Sequence, residues 1–72
     1  MTAEKINITT PFIKLDSFLK LCGEAQTGGH AKALIAEGQV IVDGWVCHQR
    51  GKKLYTGAVI VLEERQYEVV SG

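Results

Sequence analysis

The side chains best suited to chemistry in this 72-residue chain are cations held close together. Between Gly44 and Leu62 stand Arg50, Lys52 and Lys53, with His48 and no acid. Cations at that spacing can neutralise several phosphates at once and so position an anionic polymer. The bland use of the same residues is a solvated loop that keeps the protein soluble. A second group lies upstream. Gly28 and Gly29 have no side chains to block a phosphate from backbone N–H groups at the positive end of a helix. Gly28 could equally serve a sharp turn after Thr27. His30 and Lys32 fall in the first turn that follows, where Lys32 could reach a phosphate or be an ordinary surface lysine. A protonated His30 would add charge to a contact, although a neutral surface histidine is the simpler expectation. Lys14 and Lys20 flank an earlier helical segment and could extend the basic surface.

Other constellations are poorer. Cys22, His30, Cys47 and His48 are metal-ligand types without metal-ligand spacing, since no Cys-x-x-Cys or His-x-x-x-His pair occurs. Neighbouring Cys47 and His48 would also point to opposite faces of a strand. The two cysteines could pair, but no export signal is apparent, so reduced thiols acting as small apolar side chains are expected. No nucleophile–base–orienter set and no Gly-Lys-Ser/Thr phosphate loop can be read. The expectation is a non-enzyme that needs no cofactor and no metal. Trp45 admits two uses. A lone strand tryptophan usually covers a small core, the leading expectation here, and the other use is stacking on a splayed base.

Short elements must position these groups. Lys5 to Thr9 alternates, with Ile6 and Ile8 on one side, as an edge strand does. Thr10-Pro11 interrupts it, because proline cannot donate to a ladder. Leu15, Phe18, Leu19 and Cys22 then fall at i, i+3, i+4 and i+7, one helical stripe, with Gly23 placed to stop the helix. A second helix follows, with Thr27 as its N-cap, Ala31, Leu34 and Ile35 as its stripe and Gly38 as its stop. Helices of two or three turns do not persist alone in water, so both need a sheet to pack on. Val40, Ile41 and Val42 run into Asp43-Gly44, the dipeptide that favours a type I′ hairpin, and Trp45, Val46 and Cys47 return. After the basic connection, Ala58 to Leu62 forms a strand, Glu63 to Gln66 turns, and Tyr67 to Val70 closes the series.

The predicted order is β-α-α-β-β-β-β, an α+β domain of two short helices packed on a small, mostly antiparallel sheet. At this length residues 1–72 are expected to form one domain with a thin stability margin. Apolar residues make up 46% and charged residues 22%, too apolar and too evenly charged for a disordered chain. No apolar run reaches membrane-spanning length and no basic segment leads into a hydrophobic core near Met1, which predicts a cytoplasmic protein with no membrane partner. Eight cations balance eight acids, so no strong general attraction to nucleic acid is implied. The balance is uneven, however: the last ten residues set Glu63, Glu64 and Glu68 against Arg65 alone, so a basic face is compatible with zero net charge.

The run AKALIAEGQVIVDG at residues 31–44 resembles the second-helix-to-hairpin segment of the S4-like RNA-binding domain, named for the fourth protein of the small ribosomal subunit. Leu34, Ile35, Glu37, Gly38, Val40, Val42, Asp43 and Gly44 carry the pattern in order. Leu15-Asp16 with Phe18-Leu19 is similar to the family's first helix, and Lys53-Leu54-Tyr55-Thr56-Gly57-Ala58-Val59-Ile60 to its closing segment. The resemblance spans about residues 15–62, and the leading strand looks like that of short stand-alone bacterial members, which carry no enzymatic domain. It implies an alpha-L motif, in which the helix pair and hairpin make an L-shaped surface that grips structured RNA. Family members often place Ser-Arg at the second helix's start and Arg ahead of Leu-Asp in the first. Here Gly29-His30 and Lys14 hold those places, which leaves the fold implied and the RNA target open.

Together these readings predict a monomer that binds structured RNA without catalysis, of ribosomal, assembly-intermediate or transfer-RNA class. The candidate contacts are Lys14, Lys20, Gly28, Gly29, His30, Lys32, Arg50, Lys52 and Lys53. The alternative is a protein-interaction module of the same fold, docking a ribosomal or other protein partner through its sheet or acidic end.

Overall fold

The computed structural model describes residues 3–71. Its elements are β1 (Glu4–Ile8), β2 (Ile13–Lys14), α1 (Leu15–Leu21), α2 (Gly28–Ala36), β3 (Val40–Val42), β4 (Trp45–Val46), β5 (Lys53–Leu54), β6 (Val59–Leu62) and β7 (Arg65–Ser71). The two helices pack on a five-stranded sheet of order β1-β7-β6-β3-β4, and β2 and β5 form a separate ladder. Every pairing is antiparallel except that of β1 with β7. The α+β prediction therefore holds, with two additions. The order gains the two-residue strands β2 ahead of α1 and β5 ahead of β6, and one edge of the sheet is a parallel pair between its first and last strands.

Period-2 alternation builds the sheet's inner face. Val40 stands opposite Leu62, and Val42 opposite Ile60, which in turn faces Tyr67; all five are buried. Ile6 stands opposite Val69 across the parallel pair. The helices add Leu15, Phe18 and Leu19 from α1 and Ala31 and Ile35 from α2. The Phe18 and Tyr67 rings meet edge to face at 6.2 Å, joining the helix layer to β7.

Local signals set most of the boundaries. Thr27 caps α2, its hydroxyl accepting the His30 N–H at 3.1 Å. Gly23 and Gly38 end the helices at φ +88° and +74°, the left-handed conformation expected of a C′ glycine. Gly38 is constrained twice, because a Cβ there would sit 3.4 Å from His48 Nε2. Asp43 (φ 51°) and Gly44 (φ 90°) have the paired positive φ of the type I′ hairpin. Asp43 tolerates it because its carboxylate accepts the Val59 N–H at 2.9 Å while its own N–H donates to the Val59 carbonyl at 2.8 Å.

Three sequence expectations need adjustment. The first strand begins one residue earlier than predicted and ends at Ile8. The turn expected over four residues is only Glu63 and Glu64, with Glu63 at φ 55°, so β7 already begins at Arg65. Gly28 supplies no sharp turn: the chain turns through extended Thr27 (φ −138°, ψ 166°), and Gly28 is the first helical residue.

Candidate nucleic-acid interface

The basic connection is tied to the start of α1. That helix has no side-chain cap at Lys14. Instead Leu15 N–H donates to the Lys52 carbonyl at 2.9 Å, and Asp16 N–H donates to the Arg50 carbonyl at 3.1 Å. Two orphan donors of the first helical turn are thus satisfied by the loop's own backbone. The β2–β5 ladder fixes the same place from the side, pairing Ile13 with Leu54 and Lys14 with Lys53. Four of the candidate cations, Lys14, Arg50, Lys52 and Lys53, are therefore gathered around one helix start.

Their electrostatics are unbalanced. Lys14 and Lys53 stand directly opposite each other in an antiparallel pair, an arrangement that costs stability for like charges. Among the described residues, the ion pairs are those of Arg65 with Glu24 and Glu63, so none of the four is neutralised by a carboxylate. Asp16, next in sequence, turns its carboxylate onto the Ser17 N–H at 2.7 Å. Lys53 Nζ lies 4.8 Å from the centre of the Phe12 ring, a cation–π contact that steadies the side chain while leaving the residue exposed.

The remaining candidates fall elsewhere. Gly28, Gly29, His30 and Lys32 share the exposed first turn and a half of α2, as predicted. The Gly28 and Gly29 N–H groups precede the first i→i−4 bond, which runs from Ala31 to Thr27; a Cβ at Gly28 would meet nothing within 4 Å, and one at Gly29 would lie 3.9 Å from Thr27 Oγ1. His30 Nδ1 accepts the Gln26 N–H at 3.4 Å, leaving Nε2 as its outward edge. Lys20 is exposed in the last turn of α1, at the opposite end from the four gathered cations.

Arg65 behaves differently from the other cations. Its guanidinium makes a two-pronged contact with the Glu24 carboxylate through Nε and Nη2, and the Tyr67 hydroxyl donates to the same carboxylate. The Arg65 hydrogen bonds hold the Glu24 carboxyl below its ordinary range. Burial, followed by the hydrogen bond to Glu24, pushes the Tyr67 hydroxyl up to about 12. Burial likewise raises the Cys22 thiol, and both Cys22 and Cys47 are free and half-buried.

Sequence reasoning ranked the stacking use of Trp45 second and did not see the aromatic component beside the cations as one surface. Trp45 does not cover the core: it is 80% exposed. It stands opposite Val42, so the two side chains leave the same face of the sheet, as alternation requires. The buried layer ends at Val42, and edge strand β4 extends past it. Tyr55 is 54% exposed, with its ring 5.9 Å from that of Phe12. A shallow groove of about 500 Å³ has Trp45 and Lys52 in its lining, together with Val42, Asp43, His48 and Gln49. Lys52 also lines the adjoining depression with Lys53 and Tyr55. Only the Asp43-Gly44 turn signalled this site, since it makes Trp45 the direct partner of Val42.

Two short helices on a mostly antiparallel sheet, with a cation-rich loop at the helix start, make an α+β module, and the chain belongs to the S4 domain family, whose model matches residues 6–70. Over 61 residues it is 43% identical to the probable ribosome maturation protein RlbA of Bacillus subtilis (strain 168), covering 85% of this chain and 86% of that protein. It is 38% identical over 61 residues to the putative RNA-binding protein YbcJ of Escherichia coli (strain K12), covering 85% and 87%. The solution structure of E. coli YbcJ, described as revealing an alpha-L motif involved in RNA-binding, matches with a TM-score of 0.72 at 32% identity over 97% of this chain and 90% of that one. No helix among the described residues is long and apolar enough to cross a membrane.

Proposed function

We propose that this protein binds structured RNA without catalysing a reaction on it, with ribosomal RNA or a ribosome-assembly intermediate as the target class. The observation that carries this reading is the Lys14–Lys53 pair, held opposite across the β2–β5 ladder beside Lys52 and Arg50 with no carboxylate to neutralise them. Like charges fixed that way are relieved by an anionic partner, and a phosphate backbone supplies several anions at matching spacing. The open N–H groups of Gly28 and Gly29, with His30 and Lys32, form a second contact, and Lys20 extends the surface along α1. The names of the RlbA and YbcJ relatives support the ribosomal and RNA parts of this reading.

Binding to a structured ribosomal RNA fragment should weaken with salt. If about four phosphates are neutralised, log K against log salt has a slope of about −3 to −4. A flat salt titration sinks the proposal, as does unchanged affinity once Lys14, Arg50, Lys52 and Lys53 are all alanine. In cells, partners lost on ribonuclease treatment support RNA as the ligand, and partners retained support the protein-docking alternative.

A further inference from the structure

We infer that the groove lined by Trp45 and Lys52 takes an unpaired nucleotide, its base stacking on the Trp45 indole and its phosphate meeting Lys52. The inference deepens the RNA-binding reading and rests on it, since it names the kind of RNA element this face would receive.

Trp45 has no structural employment. At 80% exposure it contributes little apolar burial, yet the hairpin holds its backbone in register against β3 through the Ile41–Val46 and Val42–Trp45 pairs. The turn that presents it is itself locked, because Asp43 is bonded to Val59 through both its carboxylate and its N–H. A large flat ring on a fixed backbone is suited to stacking, which needs a π-face and little side-chain reorganisation.

The groove's composition selects the occupant. Val42 and the indole supply apolar surface, His48 and Gln49 supply hydrogen-bonding edges, and Lys52 supplies a cation in the same lining. The one acid present, Asp43, already accepts the Val59 N–H. Lys53 and Tyr55 continue the same cation-beside-aromatic arrangement into the adjoining depression. An aromatic face beside uncompensated cations matches a base and its phosphate, and charge complementarity disfavours a purely apolar peptide. The bases of a paired A-form stem are stacked on one another and do not offer a free face, so the element recognised is a bulge, loop or end.

Trp45 is the sole tryptophan of the chain, so its fluorescence reports this site alone. The full-length protein is titrated with short oligouridylate and, separately, with a fully paired RNA duplex of equal length. Quenching by the single strand and little change with the duplex are expected. In parallel, fluorescently labelled RNAs measure affinity for Trp45→Ala and Trp45→Phe. Trp45→Ala should weaken single-strand binding by about tenfold with the salt slope unchanged, and Trp45→Phe should retain most of the affinity. Equal quenching by both RNAs, or Trp45→Ala binding the single strand as tightly as the parent, overturns the inference. Duplex binding that persists with its salt slope through either result leaves the general RNA-binding reading standing, whereas binding to neither RNA removes both. Because Trp45 is exposed, the variants should keep the parent's circular dichroism and unfolding midpoint.

Discussion

The 50–53 loop and the Glu24 clamp between the α1–α2 turn and β7 both bring cations close to aromatic side chains, but they use them in opposite ways. In the turn, Glu24 collects Arg65 and Tyr67 from β7 and is almost enclosed, its side chain 9% exposed. Charge there is satisfied inside the protein and ties the helix pair to the last strand. In the loop, the backbone is satisfied and the charges are not: the carbonyls of Arg50 and Lys52 cap α1, while the side chains meet no carboxylate. One region converts charge into structure. The other uses structure to hold charge available.

The largest effect expected from breaking this contrast is on binding. Changing Arg50, Lys52 and Lys53 together to alanine should make the slope of log K against log salt shallower by about 2 to 3. Their carbonyls still cap α1 in that variant, so thermal unfolding should move little; a collapse of stability would show that the loop side chains are structural. Glu24→Ala should do the reverse, costing about 1–2 kcal/mol in urea unfolding while leaving the salt slope unchanged, the charged hydrogen bonds being discounted for the exposed Arg65 end. Thr27→Ala removes the α2 cap and should cost about 1 kcal/mol, with a parallel loss of RNA affinity if that helix start contacts phosphate.

The pH dependence is subtler. Glu24 titrates below its ordinary value of 4.5 in the folded protein, so the unfolded chain binds more protons there. Its contribution is complete above that value and is lost as pH falls below it. Tyr67 is raised from 10.0 to about 12, so the folded state keeps its proton longer. That contribution is present below pH 10 and is lost as pH rises towards 12. Unfolding midpoints followed across both limits should show Glu24→Gln flattening the acid limb and Tyr67→Phe flattening the alkaline one. An acid limb unchanged by Glu24→Gln would remove the clamp as its cause.

The same contrast explains what could be read in advance. The Arg50–Lys52–Lys53 cluster was legible because its members are neighbours in sequence and no acid interrupts them. Lys14 was named as an extension of that surface, but its place opposite Lys53 was not legible: β2 and β5 have two residues each, too few to show a period, and they meet only through the folded chain. Trp45 was assigned a core-covering role because a lone strand tryptophan usually has one, and its pairing with Val42 does place it on the sheet's inner face. That placement is correct, but how far the helix layer reaches is not a property of the strand. Arg65 read as one cation among three acids, with nothing to say that Glu24, 41 residues away, would engage it.

By itself, then, the sequence determined what depends on a few consecutive residues. These are the two apolar stripes, the Thr27 cap, the glycine stops at Gly23 and Gly38, the Asp43-Gly44 hairpin and, through the pattern at residues 31–44, the family. Each rests on local dihedral preferences or on side chains a turn apart. Only the tertiary structure decided the parallel pairing of β1 with β7, the Lys14–Lys53 opposition, the withdrawal of Arg65 into a clamp and the exposure of Trp45. Those outcomes depend on which distant residues meet, and a cation's availability is set by whether a carboxylate reaches it in space.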